Sequence, residues 1–248
     1  MNFTKHVLID FAKLCNISYL SSDKVVEGFY SRPINNTSEE SVFYKCDAPT
    51  TLYSCDRDSQ MYVCKYDNKL SITFRGTESG RDILTDLNLI LVELPLKNLE
   101  EKEDVAEVHW GFYNQFSELK PNIDKIVKEY YDTADTVNKE IIFSGHSLGG
   151  ALATISALNY ANKYPDITID CITLGSPRVG NNKFAEMFNK SVSSSYRFVN
   201  DNDPIPCLPT AWRYKHVKGC VWLTNDEVRT KINIWRGWHF FKNYILSF

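Results

Sequence analysis

The segment Ile141-Ile142-Phe143-Ser144-Gly145-His146-Ser147-Leu148-Gly149-Gly150-Ala151 constrains this chain more than any other. A β-branched and aromatic run without turn residues leads into a serine in a Gly-x-Ser-x-Gly pattern. Apolar residues at helical spacing follow at once: Leu148, Ala151, Leu152, Ile155 and Leu158. The pattern predicts a strand, a sharp turn and a helix, with Ser147 at the apex. Such a turn strains the backbone of the apex residue, presents its hydroxyl, and sets the helix N-terminus beneath it. Gly145 and Gly149 fall where strand and helix must approach closely, and the first helical amides face any negative charge that develops beside the serine. A Ser in this setting reads as a nucleophile elbow.

The rest of the chain limits what such a turn can serve. At 248 residues, 43% hydrophobic and 24% charged, residues 1–248 suit one well-buried α/β domain. A net charge of -3 gives no basic field for nucleic acid, so the implied partner is a small or lipidic molecule. No apolar run is long enough to cross a bilayer. In the first residues, Asp10 and Lys13 interrupt the apolar pattern, which resembles an amphipathic helix more than a secretion signal. The seven cysteines are odd in number and lack a Cys-x-x-Cys pair, which predicts reduced thiols and an intracellular, cytoplasmic location. Cys46, Cys55 and Cys64 are evenly spaced, but no His or fourth Cys lies at ligand spacing, so no metal site is expected.

Helix is expected between Thr4 and Leu20, then polar loop through Glu40. Met61–Tyr66 and Leu70–Phe74 read as a hairpin that delivers Arg75-Gly76-Thr77. Leu89–Leu94 reads as a buried strand, Val105–Trp110 as another, and Phe112 to about Tyr131 as a helix that Pro121 kinks or divides. Beyond the elbow come a buried strand Asp170–Leu174, a helix Lys183–Phe188, a strand Ser195–Val199, and a strand around His216–Leu223. Strands alternating with helices predict a central, mostly parallel sheet with helices on both faces.

A serine hydroxyl needs a base to remove its proton and usually a carboxylate to orient that base. In this architecture the chain order is Ser, acid, His. That order excludes His109 and His146. It leaves Asp201 and Asp203, just past the strand Ser195–Val199, and then His216 and His239.

Several ordered pieces resemble the class 3 (fungal-type) lipases of the α/β-hydrolase fold. Phe74-Arg75-Gly76-Thr77 and Asp82–Leu87 are similar to that family's oxyanion strand and lid, and Val108–Phe112 to its next motif. Gly145–Gly150 is similar to its elbow, Gly175–Asn181 to its Gly-Ser-Pro-Arg-Val-Gly-Asn signature, and Asn200–Pro206 with Leu208-Pro209 to its acid loop. Together they span about Met61 to Pro209. The resemblance implies Ser147 as nucleophile, Asp203 as acid, His239 as base, and the amides of Thr77 and Leu148 as the oxyanion hole. His216 is the alternative base, with a structural role otherwise, and Asp201 is read as a solvated loop carboxylate. The interval from Asp203 to His239 is shorter than the family's usual one, and Trp238 stands where the family often has Asp.

Ester hydrolysis through an acyl-enzyme follows, with no metal or organic cofactor. Ile83 and Leu84, on a short charged stretch beside Thr77, are lid candidates with Gly80 as hinge. The C-terminal aromatic stretch Ile234–Phe248 reads as a core-packed helix, with an interfacial anchor as the alternative. The leading expectation is a lipid ester hydrolase of the acylglycerol lipase type that touches lipid surfaces peripherally. The alternatives are a phospholipase A, an esterase of soluble or aromatic esters, and a non-enzymatic binding or signalling protein that keeps the fold.

Overall fold

The computed structural model describes residues 51–54, 60–66, 69–76, 89–96, 105–132, 139–200 and 203–223. Strands β1 (Thr51–Ser54), β2 (Gln60–Tyr66) and β3 (Lys69–Phe74) form an antiparallel edge. β3 then runs parallel to β6 (Glu140–His146), followed outward by β7 (Thr168–Leu174), β8 (Ser194–Asn200) and β9 (Cys220–Leu223), all parallel. The order is β1-β2-β3-β6-β7-β8-β9 in a seven-stranded sheet, the expected mostly parallel α/β core. β6 is buried along its whole length, as a central strand covered on both faces must be.

Three helices are described: α1 (Trp110–Asp132), α2 (Leu148–Lys163) and α3 (Asn182–Ser191). α2 lies on β6 and β7, and α1 and α3 both pack against α2. Every residue of α2 from Leu148 to Ala161 is buried, so its sequence is apolar or small all round rather than striped. Phe143 of β6 stacks between Phe74 of β3 and Tyr160 of α2, with ring centroids 6.4 and 5.6 Å apart. The Tyr160 hydroxyl donates to Asp124 on α1 (3.1 Å), which also receives Lys163 (2.7 Å) and Lys120 (2.6 Å). This network satisfies the polar end of a fully buried ring and ties α1 to α2.

The strand register aligns the carboxyl ends of the parallel strands. Phe74 pairs with Gly145, His146 with Leu174, and Leu174 with Phe198. The segments that leave β3, β6, β7 and β8 therefore emerge along one edge of the sheet, where α/β proteins place their sites.

Some expectations are corrected. The run Leu89–Leu94 is not a buried strand: Leu89 and Ile90 are 47% and 52% exposed, and only Leu91–Glu93 forms a short strand, β4, beside β5 (Glu107–His109). The ladder is too short to cover the apolar run that precedes it. Pro121 does not divide α1, a single helix of 23 residues in which that proline sits at an exposed position. The last strand starts at Cys220 rather than His216, because Gly219 turns the chain with φ 87°. The sequence pattern does not mark β1 as a strand. The expectation of reduced thiols fails at Cys64, which is disulfide-bonded, whereas Cys171, Cys207 and Cys220 are free. An odd count and even spacing do not report which sulfurs meet in space. The N-terminal helix and the C-terminal aromatic stretch lie outside the described residues.

Candidate active site

Ser147 occupies the turn between β6 and α2. Its backbone is at φ 57°, ψ -123°, and it is the non-glycine residue with positive φ among those described. L-residues adopt that conformation only when their surroundings enforce it. Here the Ser147 amide donates to the Leu174 carbonyl of β7 (2.9 Å), and the Ser147 carbonyl accepts from Gly150 (2.9 Å) to start the helix. Although Ser147 is the N-cap residue of α2, its side chain makes no capping bond. Leu148 is the first residue of α2, so its amide belongs to the helix end whose N–H groups have no intrahelical acceptor.

The flanking glycines are required by contact. A Cβ on Gly145 would fall 2.3 Å from the Gly149 carbonyl carbon and oxygen, and one on Gly149 would fall 2.3 Å from the Phe74 carbonyl oxygen. The end of β3 is thus pressed against the first turn of α2, which brings Arg75 and Gly76 beside the elbow. Gly145→Ala is expected to cost about 1–3 kcal/mol of stability by overpacking, measured as a lower midpoint in chemical denaturation. An unchanged midpoint would mean that the turn has slack.

Asp203 follows β8 and is 4% exposed. Its amide donates to Asn200 O (3.0 Å), and its Oδ1 accepts the Ile205 amide (2.9 Å) at the start of the 3-10 turn Ile205–Cys207. Ser147 and Asp203 therefore leave the same edge of the sheet, from β6 and β8, with β7 between them.

Chain order alone does not separate His216 from His239, but the surroundings of His216 bear on the choice. Its Nε2 lies 2.7 Å from the Pro206 carbonyl, which can only accept, so Nε2 carries the proton. Burial, helped by the nearby Arg197 guanidinium, pushes the pKa of this imidazole down to about 3. A ring so held stays neutral and ties its own segment to the turn after Asp203. His109 is also packed away: its Nδ1 accepts the Gly111 amide (3.1 Å), and its ring centroid lies 4.4 Å from that of Phe112. Thr77, Ile83, Leu84, Asp201 and His239 lie outside the described residues. Among the described residues no group of His, Cys, Asp and Glu could hold a metal ion.

Four positions of the signature after β7 have visible structural roles. Gly175 turns the chain at φ 57°. Gly180 abuts β5, where a Cβ would fall 2.3 Å from the Glu107 carbonyl oxygen. Asn181 caps α3 by accepting the Phe184 amide (2.8 Å) and also donates to Val105 O (2.9 Å). Arg178 reaches the loop after Asp203, a contact that sequence reasoning did not anticipate. Its one signal was a lone charged side chain in a motif of small residues.

This sheet, with an elbow serine at its carboxyl edge, has the α/β-hydrolase form, and solved structures share it. The lipase of Rhizomucor miehei matches with a TM-score of 0.70 at 24% identity, over 90% of this chain and 82% of that one. The family described as Lipase (class 3) matches residues 71–212, and the chain belongs to that family. Secreted mono- and diacylglycerol lipase 1 of Fusarium solani is 38% identical over 119 residues, 47% of this chain and 34% of its own. Secreted mono- and diacylglycerol lipase A of Penicillium cyclopium is 31% identical over 161 residues, 64% of this chain and 49% of its own. The chain thus spans about a third to a half of the length of these two relatives.

The expectation of an intracellular, cytoplasmic location is overturned. These relatives are named as secreted, and the disulfide at Cys64 belongs to an oxidising compartment. Among the described residues no helix is long and apolar enough to cross a membrane.

Proposed function

We infer that the chain is a serine hydrolase that cleaves carboxylic esters of lipids, with acylglycerols as substrates, and that residues 1–248 act as one domain. The observation that carries this reading is Ser147, held at φ 57° between β6 and the N-terminus of α2. Strain at a functional turn persists only where the surroundings impose it, and here it falls on the serine that directly precedes the first residue of a helix. The names of the secreted acylglycerol lipases of Fusarium and Penicillium support the substrate class and a secreted enzyme.

In this reading Ser147 Oγ attacks the ester carbonyl carbon while His239 takes its proton, and Asp203 orients the imidazole. The amides of Leu148 and Thr77 receive the oxyanion, a contribution of about 3 kcal/mol per donor. The tetrahedral intermediate collapses, His239 returns the proton to the departing alcohol, and water hydrolyses the acyl-enzyme by the same route. No cofactor enters.

An exposed apolar patch supports contact with a lipid surface. Leu89 and Ile90, five and six residues beyond Leu84, and Trp110 at 44% exposure lie together, the Trp110 amide donating to Ile90 O (2.9 Å). If Ile83 and Leu84 cover the site in water, uncovering each costs about 1.5–3 kcal/mol, which a lipid surface removes. Hydrolysis of tributyrin is then expected to rise more steeply above its solubility limit than below it. Ile83→Ser with Leu84→Ser should flatten that rise and spare short soluble esters. A single saturating curve through the limit, unchanged in the double variant, would show that the segment is no lid.

The substrate class is tested with nitrophenyl esters of increasing chain length beside emulsified acylglycerols and phospholipid. Activity on acylglycerols is expected, and activity confined to soluble esters would overturn the lipase reading.

A further inference from the structure

Three consecutive carbonyls after Asp203 are bound by one residue. The backbone amide of Arg178 donates to Leu208 O (2.7 Å), and its Nη1 donates to Pro209 O (2.7 Å) and to Cys207 O. Arg178 stands in the loop after β7, the strand between the one that delivers Ser147 and the one that delivers Asp203. A continuous hydrogen-bonded path runs from this residue to the carboxylate. Arg178 N–H binds Leu208 O, Leu208 N–H binds Ile205 O (2.9 Å), and Ile205 N–H binds Asp203 Oδ1 (2.9 Å). His216 holds the next carbonyl back, that of Pro206 (2.7 Å). The carbonyls of residues 206 to 209 are therefore all engaged by groups outside their own turn.

We propose that Arg178 is a positioning residue that fixes Asp203 by clamping the carbonyls of Cys207, Leu208 and Pro209. The role presupposes Asp203 as the acid of the triad. A planar guanidinium nitrogen with two fixed hydrogens spans two carbonyls in a set geometry, which a single flexible ammonium does less well. Loss of the guanidinium leaves the backbone bond to Leu208 alone and loosens the turn that ends on the Asp203 carboxylate. Small displacements of this kind lower the rate of the chemical step more than the affinity for substrate.

The test is a double-mutant cycle on hydrolysis of a soluble short-chain nitrophenyl ester. Arg178→Gln is expected to lower kcat by about 10- to 100-fold with KM within about two-fold. In an Asp203→Asn background the same change should lower kcat by less than about two-fold, because the group it positions no longer orients the base. Arg178→Lys should fall between parent and Arg178→Gln with the same lack of additivity, and it carries the test if Arg178→Gln fails to fold. A kcat for Arg178→Gln near the parent value, or an equal loss in both backgrounds, would overturn the clamp while leaving Asp203 as acid. A silent Asp203→Asn would overturn the acid assignment and the clamp with it. A parent protein that hydrolyses no ester would sink the functional reading itself.

Discussion

Ser147→Ala is expected to give a folded protein whose ester hydrolysis is reduced by about four to six orders of magnitude, the range in which loss of a triad nucleophile falls. Folding should survive for reasons visible at the site. Both residues carry a Cβ, so the strain at φ 57° is unchanged, and the Ser147 side chain does not cap α2, so no cap is lost. The turn itself is held by backbone bonds to Leu174 and Gly150 and by the close approach of Gly145 to Gly149. Turnover of a soluble nitrophenyl ester and a thermal melt on the same preparation check both halves. Substantial activity in a folded Ser147→Ala protein would place the nucleophile elsewhere.

The second large effect concerns the base. His239→Ala is expected to lower kcat by about three orders of magnitude or more, whereas His216→Ala should retain activity within about ten-fold and lose stability instead. The contrast rests on what His216 already does. Its Nε2 proton is engaged by the Pro206 carbonyl, and burial with Arg197 nearby holds its pKa down at about 3, so it has no reason to accept a proton near neutrality. Its removal would leave that carbonyl without this donor, at a cost of about 1–3 kcal/mol. Kinetics of both variants, with their melting temperatures, decide the matter: the reverse ranking in two folded proteins would transfer the base to His216.

What was legible in the sequence was mostly local. Ile141–Ser144 and Asp170–Leu174 read as strands because central parallel strands are apolar on both faces, and the small residues around Ser147 betray a turn that admits nothing larger. Asp203 could be singled out because chain order filters the carboxylates. What escaped depends on partners distant in sequence. An apolar run reports hydrophobicity rather than burial, so Leu89 and Ile90 read as buried strand yet are exposed, ahead of a β4 that pairs with β5 among the described residues. The chain from His216 to Gly219 reads as strand in the sequence, yet the Lys218 amide is drawn to Asn189 (2.8 Å) and its Nζ to Val192 O (2.9 Å), which delays pairing until Cys220. The hold of Arg178 on the Cys207–Pro209 carbonyls spans about thirty residues, and no periodicity records it. Thr77 is assigned by resemblance, Ile83 and Leu84 by resemblance and by their apolar character in a charged stretch, and His239 by chain order, resemblance and the engagement of His216 elsewhere.

The most direct test of the central claim is reaction of the unmodified protein with a fluorophosphonate, read by intact mass and by peptide mapping. A serine activated at the elbow predicts one adduct per chain, on the peptide that contains Ser147, with ester hydrolysis lost in proportion to its formation. An adduct on another residue, or hydrolysis that persists at full labelling, would contradict the assignment of Ser147. A protein that takes no adduct and hydrolyses no ester would be a fold without the chemistry.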